Sequence, residues 1–256
     1  MSVDPFAPDS VRQLVEAEEM DAPGVDERRL VGALRFIRRI NNCLGYLRTT
    51  AHAVVDMAAT VSEDRLISVL DVATGSGDIA VHLPEYAAFD GKRLHVIGLD
   101  LHAGTLQEAQ RFSQGALPLV QGDALSLPFA DESIDIVTTS MFLHHLPTEL
   151  AVAALREMNR VARVGIVAAD LIRDRRAYRW IVLFTLLADR MVAHDARVSV
   201  KQAFTVAEAE GLARAAGLPA TVTQHFGHRF VLTARKTEPD AAQRRGTVPS
   251  PLEGEG

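Results

Sequence analysis

The chain has 256 residues, a size that suits one α/β domain with decorations. It is 48% hydrophobic and 23% charged, the profile of a globular protein with enough apolar material for a sizeable core. A formal charge of −6 excludes a general attraction to nucleic acid or anionic lipid, and the lone Cys43 excludes an internal disulfide.

The opening residues M-S-V-D-P-F-A-P-D-S are acidic and proline-bearing, which is not the pattern of a signal peptide. Cys43 is expected to be a small buried hydrophobe, and a reducing, cytoplasmic location follows. Residues 1–30 read as acidic and helix-prone, broken at Pro23-Gly24. From Glu27 to Thr60 the residues Leu30, Ala33, Leu34, Ile37, Ile40 and Leu44 recur at three- and four-residue spacing. That periodicity predicts helix, interrupted near Asn41-Asn42 and Gly45, and makes 1–62 an N-terminal helical cap.

Strands and helices then alternate over 63–236. The expected order is strand Ile67–Asp71, helix Asp78–Ala88, strand Leu94–Asp100, helix Thr105–Gln114, strand Leu117–Gln121 and strand Ile134–Ser140. Helix Thr148–Val161, strand Val164–Ala169, helix Arg176–Ala193 and helix Val206–Ala216 follow. Strands Ala220–Phe226 and Phe230–Arg235 close the series as a hairpin through Gly227-His228. The alternation implies an α/β, Rossmann-like fold: seven strands, mostly parallel with an antiparallel last strand, covered on both faces. A helical insertion at 171–204 follows the fifth strand. Its apolar run Arg179–Arg190 is about half the ~20 residues that a bilayer requires, which predicts a buried or interfacial helix and no stable membrane insertion. Residues 237–256 lack apolar periodicity and are expected to be a disordered tail.

The chemistry is centred on Ile67–Ala80, I-S-V-L-D-V-A-T-G-S-G-D-I-A. A buried strand ends in Asp71, a turn carries Gly75 and Gly77, and a helix opens at Asp78. Glycines let a ligand approach the main chain, and the free N–H groups at the helix start point into the same space. Gly75-x-Gly77-x-x-Ala80 with Asp100 satisfies the dinucleotide fingerprint. Three observations count against an NAD(P)-dependent oxidoreductase. Tyr46, Tyr86 and Tyr178 each lack a lysine at the Tyr-x-x-x-Lys spacing, there is no room for a separate substrate domain, and Asp71 and Gly122-Asp123-Ala124 have no place in that pattern.

With D-V-A-T-G-S-G (71–77), Asp100, G-D-A (122–124), L-P-F-A-D-E-S-I-D-I-V (127–137) and F-L-H-H-L (142–146) in one order, the chain resembles a class I S-adenosylmethionine-dependent methyltransferase. The likeness covers about Leu66 to Lys236. It is nearest to the small-molecule, ubiquinone/menaquinone-biosynthesis-like subgroup, and the leader R-F-I-R-R-I-N-N-C-L-G-Y-L-R is also similar to methyltransferases found beside aromatic-polyketide synthases. The resemblance implies S-adenosyl-L-methionine as cofactor. It gives Gly75 and Gly77, with Ala73 and Thr74, to the turn around the methionine part, and Asp71 to the ammonium. Asp100 would accept the ribose hydroxyls, Leu101 would pack on adenine, Asp123 would take the adenine amino group, and Ala124 would donate its N–H. Ser140 joins the same set. For Asp71 and Asp123 the alternative is turn and helix capping. One departure is Arg160-Val161-Ala162-Arg163-Val164-Gly165, which lacks the family's proline–glycine turn before the fifth strand.

His144 and His145, after the fourth strand, are candidates for a base, since histidine titrates near neutral pH. Pocket wall and backbone support are the alternative for both. Tyr46, Phe142, His144, Trp180 and His194 are the candidate acceptor contacts, with His194-Asp195 expected in a loop. The insertion's Ile181, Leu183, Phe184, Leu187 and Met191, with Phe36, suggest either an apolar acceptor pocket or core. No metal-ligand spacing is visible, so no metal is expected. The expected partner is a small aromatic, phenolic or quinol-like acceptor, with oxygen modestly favoured over carbon; no nucleic acid is expected, and a homodimer is allowed. A cofactor-binding subunit without turnover is the competing class.

Overall fold

A computed structural model describes residues 4–6, 12, 18–21, 25–62 and 64–236. Much of the expected acidic helix at 1–30, and the expected tail at 237–256, lie outside the described residues.

The alternation resolves into one seven-stranded sheet. Its strands are β1 (Leu66–Val72), β2 (Arg93–Asp100), β3 (Leu119–Gln121), β4 (Ile134–Ser140), β5 (Ala162–Leu171), β6 (Ala220–His225) and β7 (Arg229–Arg235). The spatial order is β3-β2-β1-β4-β5-β7-β6, with β7 antiparallel to both its neighbours and every other pairing parallel. The helices are α1 (Glu27–Cys43), α2 (Tyr46–Ala58), α3 (Asp78–Phe89), α4 (Ala103–Phe112), α5 (Thr148–Val161), α6 (Arg175–Phe184), α7 (Arg190–Gln202) and α8 (Val206–Ala216). None of the described helices is long and apolar enough to cross a membrane.

Both faces of the sheet are buried. Leu70, Val72, Val137 and Ile166 pack with Leu155 and Met158 of α5 and Leu212 of α8 on one face. Ile67, Val69, Ile136 and Val167 pack with Val54 and Met57 of α2 and Leu83 of α3 on the other. Such two-sided burial is why the central strands read as continuous apolar runs. It also divides the expected cap: α2 is a layer of the α/β core, and only α1 stands over the strand ends. Gly45, with φ +75°, makes the break between the two helices.

Three expectations need correction, and the one departure from the family has a structural account. The single helix Arg176–Ala193 is two helices: Thr185 Oγ1 donates back to the Ile181 carbonyl at 2.6 Å and ends α6, and Asp189 accepts the Met191 N–H at 2.9 Å and starts α7. His194-Asp195 therefore sits in a helix, not a loop. Cys43, at the last position of α1, is exposed rather than buried, because the apolar stripe of that helix faces the other way. The missing proline–glycine turn is no irregularity: α5 passes directly into β5, where Ala162 takes up extended geometry.

Candidate functional site

A cavity of ≈ 900 Å³ opens at the carboxyl ends of the parallel strands, where ligands bind in open α/β sheets. Its floor comes from β1, β2 and β4, and its lid from α1, α6, α7 and the β6–β7 hairpin.

The turn after β1 is held by its own residues. Thr74 Oγ1 donates to Asp71 Oδ2 at 2.7 Å, and the Thr74 N–H reaches the Leu99 carbonyl at 2.9 Å. That approach needs Gly98, since a Cβ there would stand 2.9 Å from Thr74 Cγ2. Gly77, at φ +72°, has Leu117 Cδ2 only 2.9 Å from where a Cβ would be, so backbone and space both require glycine. Two non-glycine residues at strand ends, Ala73 (φ 55°) and Met141 (φ 57°), adopt left-handed backbone, a strained state that marks functional loops.

Asp100 ends β2 with both oxygens engaged: Oδ2 accepts the Gly75 N–H at 3.0 Å and Oδ1 the His102 N–H at 3.0 Å. Its carboxylate thus lies between the cofactor turn and the start of α4. Asp123 accepts the Leu125 N–H at 2.8 Å, the turn-capping contact expected as its alternative, while remaining exposed at the cavity edge. Asp71, Ala73, Thr74, Gly75, Asp100, Leu101, Asp123, Ala124 and Ser140 all line the cavity; Gly77 shapes the turn without lining it.

Sequence reasoning missed Asn41 and Asp78. Asn41 Nδ2 donates to Asp78 Oδ2 at 3.0 Å, and Ser76 Oγ donates to Asp78 Oδ1 at 3.0 Å, which ties α1 to the start of α3. Asn41 is buried at the cavity wall, and its Oδ1 has no partner among the described residues. Burial pushes the Asp71 carboxyl up from 3.8 to about 7, with Asp78 and Asp100 adding to the rise and the Thr74 hydroxyl opposing it. A buried carboxylate with no cation beside it and an amide oxygen with no partner among the described residues line the same cavity, a donor set that suits a cation. The ammonium of an amino-acid moiety fits both.

On the far side of the cavity, the 3₁₀ turn Leu143–His145 carries the histidine pair. His144 is fully buried, its N–H and Nδ1 held by Asp170 at 3.0 and 2.6 Å. Burial alone would lower that imidazole; Asp170, with Glu18, more than reverses it and lifts it to about 10. The same histidines hold Glu18 below the ordinary carboxylate range against its burial. His145 stays half-exposed and faces the cavity. Asp170 went unseen because β5 runs two residues past its expected end. Glu18 went unseen because only the fold brings it to the pair.

Of the acceptor candidates, Tyr46, Phe142, His144 and Trp180 line the cavity. Tyr46 is buried with its hydroxyl directed to the Gly227 carbonyl at 3.3 Å, and the Arg229 guanidinium lies 4.0 Å from its ring centre. Trp180 is 53% exposed at the mouth and stacks on Phe184. His194 is not part of the cavity; it lines a separate groove with Tyr178, Arg190 and Arg197.

Residues 69–165 match the family described as methyltransferase domain. The chain is 40% identical over 129 residues to the demethylmenaquinone methyltransferase of Roseiflexus sp. (strain RS-1), covering 50% of each chain. It is 36% identical over 157 residues to the ubiquinone/menaquinone biosynthesis C-methyltransferase UbiE of Xanthomonas oryzae pv. oryzae (strain MAFF 311018), covering 57% of this chain and 59% of that one. The chain thus spans about half the length of the curated relatives it matches. Among solved structures it is similar to the plantazolicin methyltransferase BamL in complex with triazolic desmethylPZN analog and SAH, with a TM-score of 0.64 at 13% identity over 83% of this chain and 92% of that one. Residues 69–165 thus match a methyltransferase domain, and the fold is shared with a solved S-adenosylmethionine-dependent methyltransferase of Aquifex aeolicus.

Proposed function

We propose that this chain transfers a methyl group from S-adenosyl-L-methionine to a hydroxyl of a small aromatic or quinol-like acceptor carrying an apolar tail. The observation that carries the reading is one cavity lined by Asp71, by Asp100 and by Asn41, whose Oδ1 has no partner among the described residues. When bound there, the cofactor supplies an electrophilic methyl on a sulfonium. Asp71 and Asn41 hold its ammonium, and the turn through Gly75 shapes the path of the chain. Asp100 accepts the ribose hydroxyls, a task suited to a carboxylate. Leu101, Asp123 and Ala124 frame the adenine.

The acceptor side is mostly apolar, with Leu171, Ala177, Ile181 and Val200 behind the half-exposed Trp180 and Phe184. An apolar wall excludes water and strengthens positioning, which is the main demand of an in-line displacement. The polar corner of Glu18, His144 and His145 receives the acceptor hydroxyl, with Asp170 positioning His144. The exposed Cys43 thiol and the charge of −6 support a reducing, cytoplasmic setting and a small-molecule partner rather than nucleic acid.

Calorimetric titration with S-adenosylmethionine and with NAD, followed by incubation with phenolic and quinol acceptors, tests the reading. Micromolar binding of the sulfonium cofactor and a methoxy signal in the product support it. A ring-methyl signal would shift the accepting atom to carbon, the chemistry named for the UbiE relative. Cofactor binding without turnover on any acceptor would favour a binding subunit, and NAD binding would overturn the class.

A further inference from the structure

The polar corner holds more donors than a single acceptor hydroxyl requires. Glu18 Oε1 lies 3.7 Å from His144 Nε2 and 3.8 Å from His145 Nδ1. One ligand atom from each of the three residues falls within 4.8 Å of the others. Nitrogen and oxygen ligands at bond lengths of about 2.0–2.2 Å around one ion stand roughly 3–4 Å apart. The two separations from Glu18 fall in that range, so its carboxylate can share one ion with either histidine.

The surroundings are arranged in the same sense. Metal-bound histidines generally donate their second ring N–H to a carboxylate, which fixes tautomer and orientation. His144 Nδ1 sits 2.6 Å from Asp170 Oδ1, so Nε2 is the nitrogen turned toward Glu18. Glu18 is held from α7: Ser199 donates to its carboxylate, and Asp195 accepts the N–H groups of Glu19 and Met20 at 2.8 and 3.1 Å. The charges around the corner are Glu18, Asp170 and Asp195, with Arg12, whose guanidinium donates to the His144 carbonyl at 2.7 Å, and beyond Arg12 the pair Arg173 and Glu208.

We propose that Glu18, His144 and His145 bind a divalent transition metal ion, with Asp170 orienting His144 and the remaining coordination positions open to the cavity. Two imidazoles and one carboxylate suit Zn²⁺, Fe²⁺ or Co²⁺ better than Mg²⁺ or Ca²⁺, which favour all-oxygen shells. The role assigned to the ion rests on the methyl-transfer reading: it holds the acceptor's hydroxyl oxygen. The O–H bond breaks with its electron pair left on that oxygen, and the proton passes to water at the mouth. The pair then forms the oxygen–methyl bond as the sulfur–methyl bond breaks with its pair going to sulfur. The step is redox-neutral.

Cobalt(II) is the probe, added to the purified full-length chain and read by its visible absorption, with S-adenosylmethionine titrated by calorimetry into the same preparation. His145 is half-exposed on a short turn, so His145→Ala spares the core; Glu18→Gln keeps side-chain shape. The expected result is one bound equivalent, weakened at least about 100-fold in both variants and about 10–100-fold in Asp170→Asn. S-adenosylmethionine affinity stays unchanged in His145→Ala. Absence of a one-to-one cobalt spectrum, or wild-type cobalt affinity in His145→Ala or Glu18→Gln, overturns the site. Cobalt binding without S-adenosylmethionine binding would leave the site standing and remove the methyl-transfer reading; the reverse would remove the site alone.

Discussion

The carboxylate of Asp100 accepts the Gly75 N–H at 3.0 Å, binding the end of one strand to the loop that follows its neighbour. The same group is therefore both a brace for the cofactor turn and the proposed ribose acceptor. Asp100→Ala removes both, and hydrogen bonds to charged groups contribute about 1.5–3 kcal/mol each. Calorimetry should show S-adenosylmethionine affinity lowered by a factor on the order of 100 or more, with the fold retained by circular dichroism. A variant that binds within threefold of the wild type would remove Asp100 from the site.

Asp71 makes cofactor affinity depend on pH. Its carboxyl is raised from 3.8 to about 7 in the folded chain. As pH rises from about 4 to 7 the unfolded chain gives up this proton and the folded chain keeps it, so the group disfavours folding increasingly up to pH 7. Holding an ammonium requires the ionised form. Affinity for S-adenosylmethionine should accordingly fall as pH drops below about 7, approaching tenfold per unit. Asp71→Asn should bind weakly with a flat profile between about pH 5 and 7; a slope surviving in that variant would assign the titration elsewhere.

Trp180 and Phe184, stacked with centroids 5.9 Å apart, frame the cavity mouth. Loss of the indole from a half-buried position removes about 1–2 kcal/mol of apolar contact. Trp180→Ala should raise KM for an acceptor with a long apolar tail by about tenfold and leave cofactor affinity unchanged. Equal KM values for tailed and tailless acceptors would place the tail elsewhere.

Gly165 carries β5 against β7 so tightly that a Cβ would lie 2.4 Å from the Ala234 carbonyl oxygen and 2.8 Å from Met57 Sδ. Overpacking of this kind costs about 1–3 kcal/mol or more. Gly165→Ala should lower Tm by about 2–4 °C per kcal/mol, read by thermal melting. An unchanged Tm would show that the two strands can separate freely.

Legibility of the sequence followed the range of the forces involved. β4, α5 and α8 have their expected bounds, because each rests on local periodicity and its own ends, as with the Thr205–Glu208 capping box of α8. The α6–α7 break was hidden: Leu186 and Leu187 continue the apolar run across it, yet both are exposed, Leu187 fully. The residues expected to hold the cofactor meet at one cavity because they are close in sequence or fall at successive strand ends. Glu18, Asn41 and Asp170 were not legible, since each has its role from a partner that only the fold supplies.

The wall of the cavity is assembled from two sources. The turn after β1, the end of β2 and the loop after β3 all lie within residues 69–165, whereas Tyr46, Leu171, Trp180 and Ser199 lie outside that stretch. The family match therefore covers the wall proposed for the cofactor and leaves these four residues outside it. Grafting the leader and the α6–α7 segment between such chains is accordingly the route by which acceptor choice would be exchanged as a unit.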